Sequence, residues 1–227
     1  MQTVLLTGAN RGIGLEFARQ YAAEGWRVIA TCRAPGGADE LNALPGQIEV
    51  RGLDVSDFQA VDRLARELEG EAIDLLLNNA GISGPRPGHL GNIDYEGWPD
   101  VFWTNSLAPL RMAESFLPHI ERSGRRLIVS LTSRLGSIGD NSGGGDYLYR
   151  SSKAALNSNM KGLAMDLAPR GVTVVVMHPG WVRTDMGGPH APLEVAESVA
   201  SIRAVIDGLE PACAGRFLDY DGTEAPW

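Results

Sequence analysis

The feature that most constrains this chain is the form of its apolar runs, which are continuous rather than alternating. "TVLLT" (3–7), "RVIAT" (27–31), "QIEVR" (47–51), "IDLLLN" (73–78), "RLIVSL" (126–131), "VTVVVM" (172–177) and a short "RFL" (216–218) are strand-sized. Several are apolar at successive positions, which suits strands covered on both faces, as in a parallel sheet. Parallel neighbours need crossover connections, and helical patterns fill the gaps. "GLEFARQYAAEG" places Leu15, Phe17, Ala18, Tyr21 and Ala22 at helical spacing, and "DFQAVDRLARELEG" follows Ser56, a plausible N-cap, and ends at Gly70. "SLAPLRMAESFLPHIERSG" runs to Gly124, "YRSSKAALNSNMKGLAMDLAPRG" stops near Pro169–Gly171, and "PLEVAESVASIRAVIDGL" is the last. The alternation predicts one doubly wound (Rossmann-type) α/β domain over residues 1–227, a seven-stranded parallel sheet with helices on both faces.

Composition narrows the function classes. The 227 residues carry a formal net charge of -8, which argues against a general binder of nucleic-acid backbones. Cys32 and Cys213 stand far apart without metal-ligand spacing, so neither a disulfide framework nor a metal site is expected, and a reducing cytoplasm is. "MQTVLLTGAN" has no basic leader, and no apolar run is long enough to span a bilayer.

Three motifs carry the chemistry. "TGANRGIG" (7–14) occupies a strand-to-helix turn, with the helix starting near Ile13. Glycines there permit a tight turn and let backbone N–H groups approach a pyrophosphate, although the spacing differs from G-x-G-x-x-G and a turn without ligand is the rival reading. "NNAG" (78–81) follows the fourth strand, and Tyr149-x-x-x-Lys153 opens a helix. Together, in this order, they resemble the short-chain dehydrogenase/reductase family. "YRSSKAALN" and "GRFLDYDGTEAPW" are similar to its C-factor and Sniffer-like carbonyl reductase branch.

Tyr149 and Lys153, four apart, share one helix face. A free phenol titrates near pH ~10 and a nearby ammonium lowers that value, which gives an acid/base suited to carbonyl reduction or alcohol oxidation. The resemblance implies Ser133 as the group holding the substrate oxygen, with Ser130 as runner-up better explained as strand interior. It implies Asn105 as organiser of a proton path to the lysine, where N-capping is the plain alternative. Gly8, Asn10, Arg11, Gly12, Ile13 and Gly14 would form the cofactor's phosphate cradle. After the second strand stand Cys32 and Arg33, where an NAD site usually carries a carboxylate, and Asp39 and Glu40 belong to the next helix. Arg33 could pair with a 2′-phosphate, and the resemblance implies the same for Arg11, so the two point to NADP(H), with two solvated surface arginines as the rival reading.

By resemblance, Asp54 and Val55 meet the adenine, Asn78, Ala80 and Gly81 lie under the adenosine half, and Pro179, Gly180, Val182 and Thr184 hold the nicotinamide end. His178 has no visible partner and no implied role. A substrate lid is expected at 184–198, with Trp103, Trp181, Met186 and the loop 82–90 as candidate walls. The family implies a homodimer, with a tetramer as the larger alternative, through a seam of Leu110, Ala113, Phe116, Leu156, Met160 and Leu163; those residues facing the chain's own sheet is the rival reading. The function expected is NADP(H)-dependent reduction of a small aldehyde, ketone or quinone. A non-catalytic NADP(H)-binding regulator and an epimerase or dehydratase on the same fold are the alternatives.

Overall fold

The structure, a computed structural model, describes residues 1–85 and 88–227. Its strands are β1 (Thr3–Thr7), β2 (Arg27–Cys32), β3 (Ile48–Gly52), β4 (Leu75–Asn78), β5 (Leu127–Leu131), β6 (Thr173–His178) and β7 (Phe217–Asp219). They form one sheet in the order β3-β2-β1-β4-β5-β6-β7, every pairing parallel. The expected doubly wound fold is therefore present. The order reverses between β1 and β4, and such a reversal opens a crevice at the carboxyl ends of the strands.

The continuous apolar runs have a direct cause. In β1, Val4 and Leu6 face one core while Leu5 faces the other. The first core lies under α1 (Gly12–Ala23) and α7 (Val195–Asp207), with Phe17, Tyr21, Val199, Ile202 and Ile206 buried. The second lies under α3 (Phe58–Glu67), α5 (Ala108–Arg122) and α6 (Tyr147–Leu167), with Leu64, Met112, Phe116, Leu156 and Met160 buried. Both faces of the central strands exclude water, so those strands carry no polar stripe, whereas the half-buried edge strand β3 sets Glu49 and Arg51 opposite its core-facing Ile48 and Val50. Among the described residues no helix is long and apolar enough to cross a membrane.

Several boundaries differ from expectation. Asp57, not Ser56, caps α3, its carboxylate accepting from the Ala60 N–H at 3.0 Å. Ser56 turns back instead, donating from its N–H and hydroxyl to Asp54 Oδ1 at 2.9 and 2.6 Å. A short α2 (Asp39–Asn42) carries Asp39 and Glu40 in its first turn. The helix expected from Ser106 begins earlier: α4 (Trp98–Phe102) runs through a π turn at Trp103–Leu107 into α5.

The expected subunit seam is corrected. Ala113, Phe116, Leu156 and Met160 are at most 1% exposed and sit in the second core, with Leu110 and Leu163 packed partly against it. The apolar stripes of α5 and α6 are consumed by the sheet they cover, as amphipathic helices on a sheet require. Phe116→Ala is accordingly expected to cost about 3–5 kcal/mol of unfolding free energy in denaturant titrations, independently of protein concentration. A loss that fades as concentration rises would instead assign Phe116 to a subunit contact.

Candidate active site

A cleft of about 1380 Å³ opens at the carboxyl ends of the central strands. Its floor is the β1–α1 turn. Gly8 and Gly12 adopt φ of +67° and +53°, a region that favours glycine. At Gly14 a Cβ would collide with the Gly8 carbonyl oxygen and stand 2.6 Å from Asn79 Nδ2, so only glycine fits. Asn79 ties the turn to β4, its Nδ2 donating to the carbonyls of Thr7 at 2.8 Å and Gly8 at 3.0 Å. Thr7 Oγ1 in return accepts the N–H groups of Asn79 and Ala80, each at 3.0 Å.

The N-terminus of α1 has no side-chain cap and no acidic residue in its first turn. Gly12, Ile13 and Gly14 line the cleft, as do Gly8, Asn10 and Arg11. Orphan N–H groups and an uncompensated helix dipole suit an anion such as a pyrophosphate. The residues present therefore fit a dinucleotide.

Past β2, Cys32 and Arg33 line the rim, and Glu40 lines it too. Asp54 and Val55 lie on the same wall. Hydrogen bonding by Ser56 holds the Asp54 carboxyl below its ordinary range, and Arg33 adds to the effect. Phe58 and Trp103 meet edge-on, centroids 4.9 Å apart, and both line the cleft, so Trp103 is wall rather than core. Trp181 does not line the cleft, being 57% exposed and donating from Nε1 to the Gly187 carbonyl at 2.8 Å. Of the loop 82–90, Ile82 lines the cleft while Arg86 and Pro87 lie outside the described residues.

The first two turns of α6 bring Tyr149 and Lys153 to the same cleft. Lys153 Nζ lies 5.9 Å from the centroid of the Tyr149 ring and donates to the Leu131 carbonyl at the end of β5, at 2.8 Å. The lysine is buried, and desolvation pushes its ammonium down to about 8. Gly81 allows this approach, since a Cβ there would stand 3.6 Å from Nζ and 3.3 Å from Asn105 Oδ1. Ala80 and Gly81 both line the cleft.

Some expected site residues sit elsewhere. Asn78 points behind the sheet, donating to Ser130 Oγ at 3.2 Å and the Pro109 carbonyl at 3.4 Å, while its neighbour Asn79 lines the cleft. Strand alternation sends the two asparagines to opposite sides. Asn105 lies in the π turn, fully buried and off the cleft wall, and is not a cap. Its Oδ1 accepts the Ile82 N–H at 2.9 Å, and its Nδ2 donates to the Ile82 carbonyl at 2.8 Å and Ser152 Oγ at 3.0 Å. Ser133 stands just off the lining, 8% exposed, with Oγ accepting the Leu135 N–H at 3.1 Å to cap a 3₁₀ turn (Arg134–Gly136). Thr132 lines the cleft in its place, donating to Asn157 Oδ1 at 2.6 Å.

After β6, Pro179 and Thr184 line the cleft with Arg183, Asp185 and Met186. Gly180 and Val182 do not. A Cβ at Gly180 would meet Leu193 at 2.7 Å, and Val182 forms a bridge with Leu193, so both face the segment leading to α7. Of the stretch 184–198 expected as a lid, residues from Val195 onward belong to α7, and Ser198 Oγ donates to the Pro179 carbonyl at 2.6 Å. His178 is pushed down to about 4, chiefly by burial, and is neutral at pH 7. Asn79, Thr132, Phe58 and Asp185 were not singled out from sequence, and Glu40 was assigned to the next helix rather than to the site. Only Asn79 carried a signal, as the second asparagine of NNAG.

The comparisons with known proteins agree with this architecture. A family model described as short chain dehydrogenase matches residues 2–193. The C-signal protein of Myxococcus xanthus is 48% identical over 155 residues, covering 68% of this chain and 93% of that protein. The solved structure of the carbonyl reductase Sniffer of D. melanogaster is 36% identical and superimposes over the whole of both chains with a TM-score of 0.95. An NADPH-bound carbonyl reductase from chicken fatty liver is 35% identical, with a TM-score of 0.92 over 100% of this chain and 99% of that one. With its glycine turn, its β4 clamp and its Tyr149–Lys153 helix in one cleft, the chain belongs to the short-chain dehydrogenase family.

Proposed function

We propose that the chain is an NADP(H)-dependent oxidoreductase that reduces the carbonyl of a small aldehyde, ketone or quinone to an alcohol. The observation that carries this reading is the placement of Tyr149 and the buried Lys153 in the same cleft as the uncapped N-terminus of α1. Two similar structures are named as carbonyl reductases, and one of them is described as NADPH-bound, which supports it.

The Gly8–Gly14 turn would hold the pyrophosphate, and Arg11 and Arg33 the 2′-phosphate. Asp54 and Val55 would meet the adenine, while Lys153, Pro179 and Thr184 lie toward the nicotinamide end. When bound, the nicotinamide supplies the hydride, and the protein supplies position and electrostatics. Tyr149 gives its phenolic proton to the carbonyl oxygen. The Lys153 ammonium near the ring favours the phenolate that remains. Ser133 stands just off the cleft lining; its Oγ accepts from Leu135, and its remaining hydroxyl hydrogen would have to turn toward the cleft to donate to the substrate oxygen. Asn105 acts by position, fixing the backbone at Ile82 beside Gly81 and gripping α6 through Ser152, next to Lys153. The residues after β6 up to the start of α7 cover the substrate as a lid of the single catalytic domain. The free thiols of Cys32 and Cys213 suit the cytoplasm. Two copies pair as a homodimer through surface other than the stripes spent on the core.

Tyr149→Phe should lower turnover by on the order of 10³-fold, followed by loss of NADPH absorbance with an aldehyde and quinone panel, while NADPH still raises the melting temperature. Turnover surviving that change would remove Tyr149 from the mechanism. Lys153 and Lys161 are the only lysines of the sequence, so ¹³C-lysine NMR resolves them cleanly. One Cε resonance should titrate with a midpoint of about 8 and vanish in Lys153→Met, and a midpoint for that resonance above ~10 would contradict the desolvated site. Replacing Arg11 and Arg33 by neutral residues should weaken NADPH by about tenfold or more per arginine and leave NADH within about twofold, measured by titration calorimetry.

A further inference from the structure

The segment after β6 reaches the glycine turn. Arg11 Nη1 donates to Asp185 Oδ2 at 3.2 Å, and a Cβ at Gly12 would stand 3.5 Å from Thr184 Cγ2. Asp185 is not carried on a loose loop. Within 181–188 the Gly188 N–H donates to the Thr184 carbonyl at 2.8 Å, the Gly187 N–H to Thr184 Oγ1 at 3.1 Å, and Trp181 Nε1 to the Gly187 carbonyl at 2.8 Å. A braced turn thus presents one carboxylate to the arginine that stands among the glycines. Asp185, like Arg11, lines the cleft.

We propose that Asp185 is a specificity-determining residue that engages Arg11 when no cofactor is bound and yields it only to a cofactor bearing a 2′-phosphate. The inference rests on the NADP(H) reading above. The pair is open to solvent, with side chains 70% and 84% exposed, so it is held weakly. A phosphate offers Arg11 a bidentate, more highly charged partner than one carboxylate, and outcompetes it. A cofactor ending in a 2′-hydroxyl has nothing to offer Arg11, and the ion pair persists beside it. The same exchange removes the ion pair that ties the 181–188 turn to the glycine turn.

The test is a double-mutant cycle read by equilibrium binding. NADPH and NADH dissociation constants are measured by calorimetry for the wild type, Asp185→Asn, Arg11→Ala and the double variant, with Asp185→Glu as the charge-retaining control. Asp185→Asn should tighten NADPH about three- to fivefold and change NADH by less than about twofold. In the Arg11→Ala background the same substitution should have no effect on NADPH, and Asp185→Glu should bind as the wild type does. Equal tightening of both cofactors, or tightening that persists without Arg11, would mean simple charge repulsion and overturn the proposal. No change, or weaker NADPH binding in Asp185→Asn, overturns it as well. Should the wild type bind NADH as tightly as NADPH, the NADP(H) reading itself fails and takes this proposal with it. A failed cycle in a protein that prefers NADPH removes only Asp185's role.

Discussion

The clamp between β1 and β4 is the interaction on which the rest of the site depends. These strands are neighbours where the strand order reverses, and four hydrogen bonds cross that reversal between Thr7–Gly8 on one side and Asn79–Ala80 on the other. The clamp fixes the carbonyls of Thr7 and Gly8, which orients the turn that starts α1. It also leaves no room for a side chain at Gly14. A helix N-terminus without cap or acid leaves free N–H groups and the positive end of its dipole open to an anion, and the clamp aims this one into the cleft. Replacing Asn79 by an apolar residue would leave two carbonyls short of donors in a half-buried turn.

At the other end of the cleft the governing fact is a cation with no carboxylate paired to it among the described residues. Lys153 is buried, and a backbone carbonyl is its hydrogen-bond acceptor. Burial would ordinarily strip such a group of its proton, yet its value of about 8 leaves it mostly charged at neutral pH. A paired carboxylate would hold the charge more firmly but would cancel its field at the phenol. A carbonyl stabilises the ammonium while leaving that field intact. The surroundings are correspondingly rigid: Gly81 gives way to the ammonium, and Asn105 joins Ile82 to Ser152 so that strand end and helix move together.

The fold was legible because burial on both sheet faces writes itself into sequence as continuous runs such as Val4–Leu5–Leu6, each residue serving one of two cores. The Tyr149–Lys153 pair was legible because helix spacing alone puts them on one face. What escaped was direction. Asn78 and Asn79 are adjacent and identical, and only the pleat decides that the second meets the cleft. Gly180 and Val182 face the chain's own later segment, which no local pattern announces. The stripe from Ala113 to Met160 has the composition of an interface or of a core, and only the packed sheet distinguishes them. Asp185 and Arg11 are separated by 174 positions, so their pairing had no sequence signature at all.

The π turn at Trp103–Leu107 amounts to one residue more than an α-helix needs over the same rise. Helix α5 therefore keeps its apolar stripe on the sheet while α4, upstream, is rotated by roughly 100° from the bearing an unbroken helix would give it. Trp103 looks into the cleft and Asn105, two residues on, looks into the protein, as helical residues about half a turn apart do. The turn is thus intolerant of a change in length. Deleting a single residue from it would restore a regular helix and, in doing so, swing either the cleft wall or the core-facing stripe out of place, a lesion produced by making the backbone more ideal rather than less.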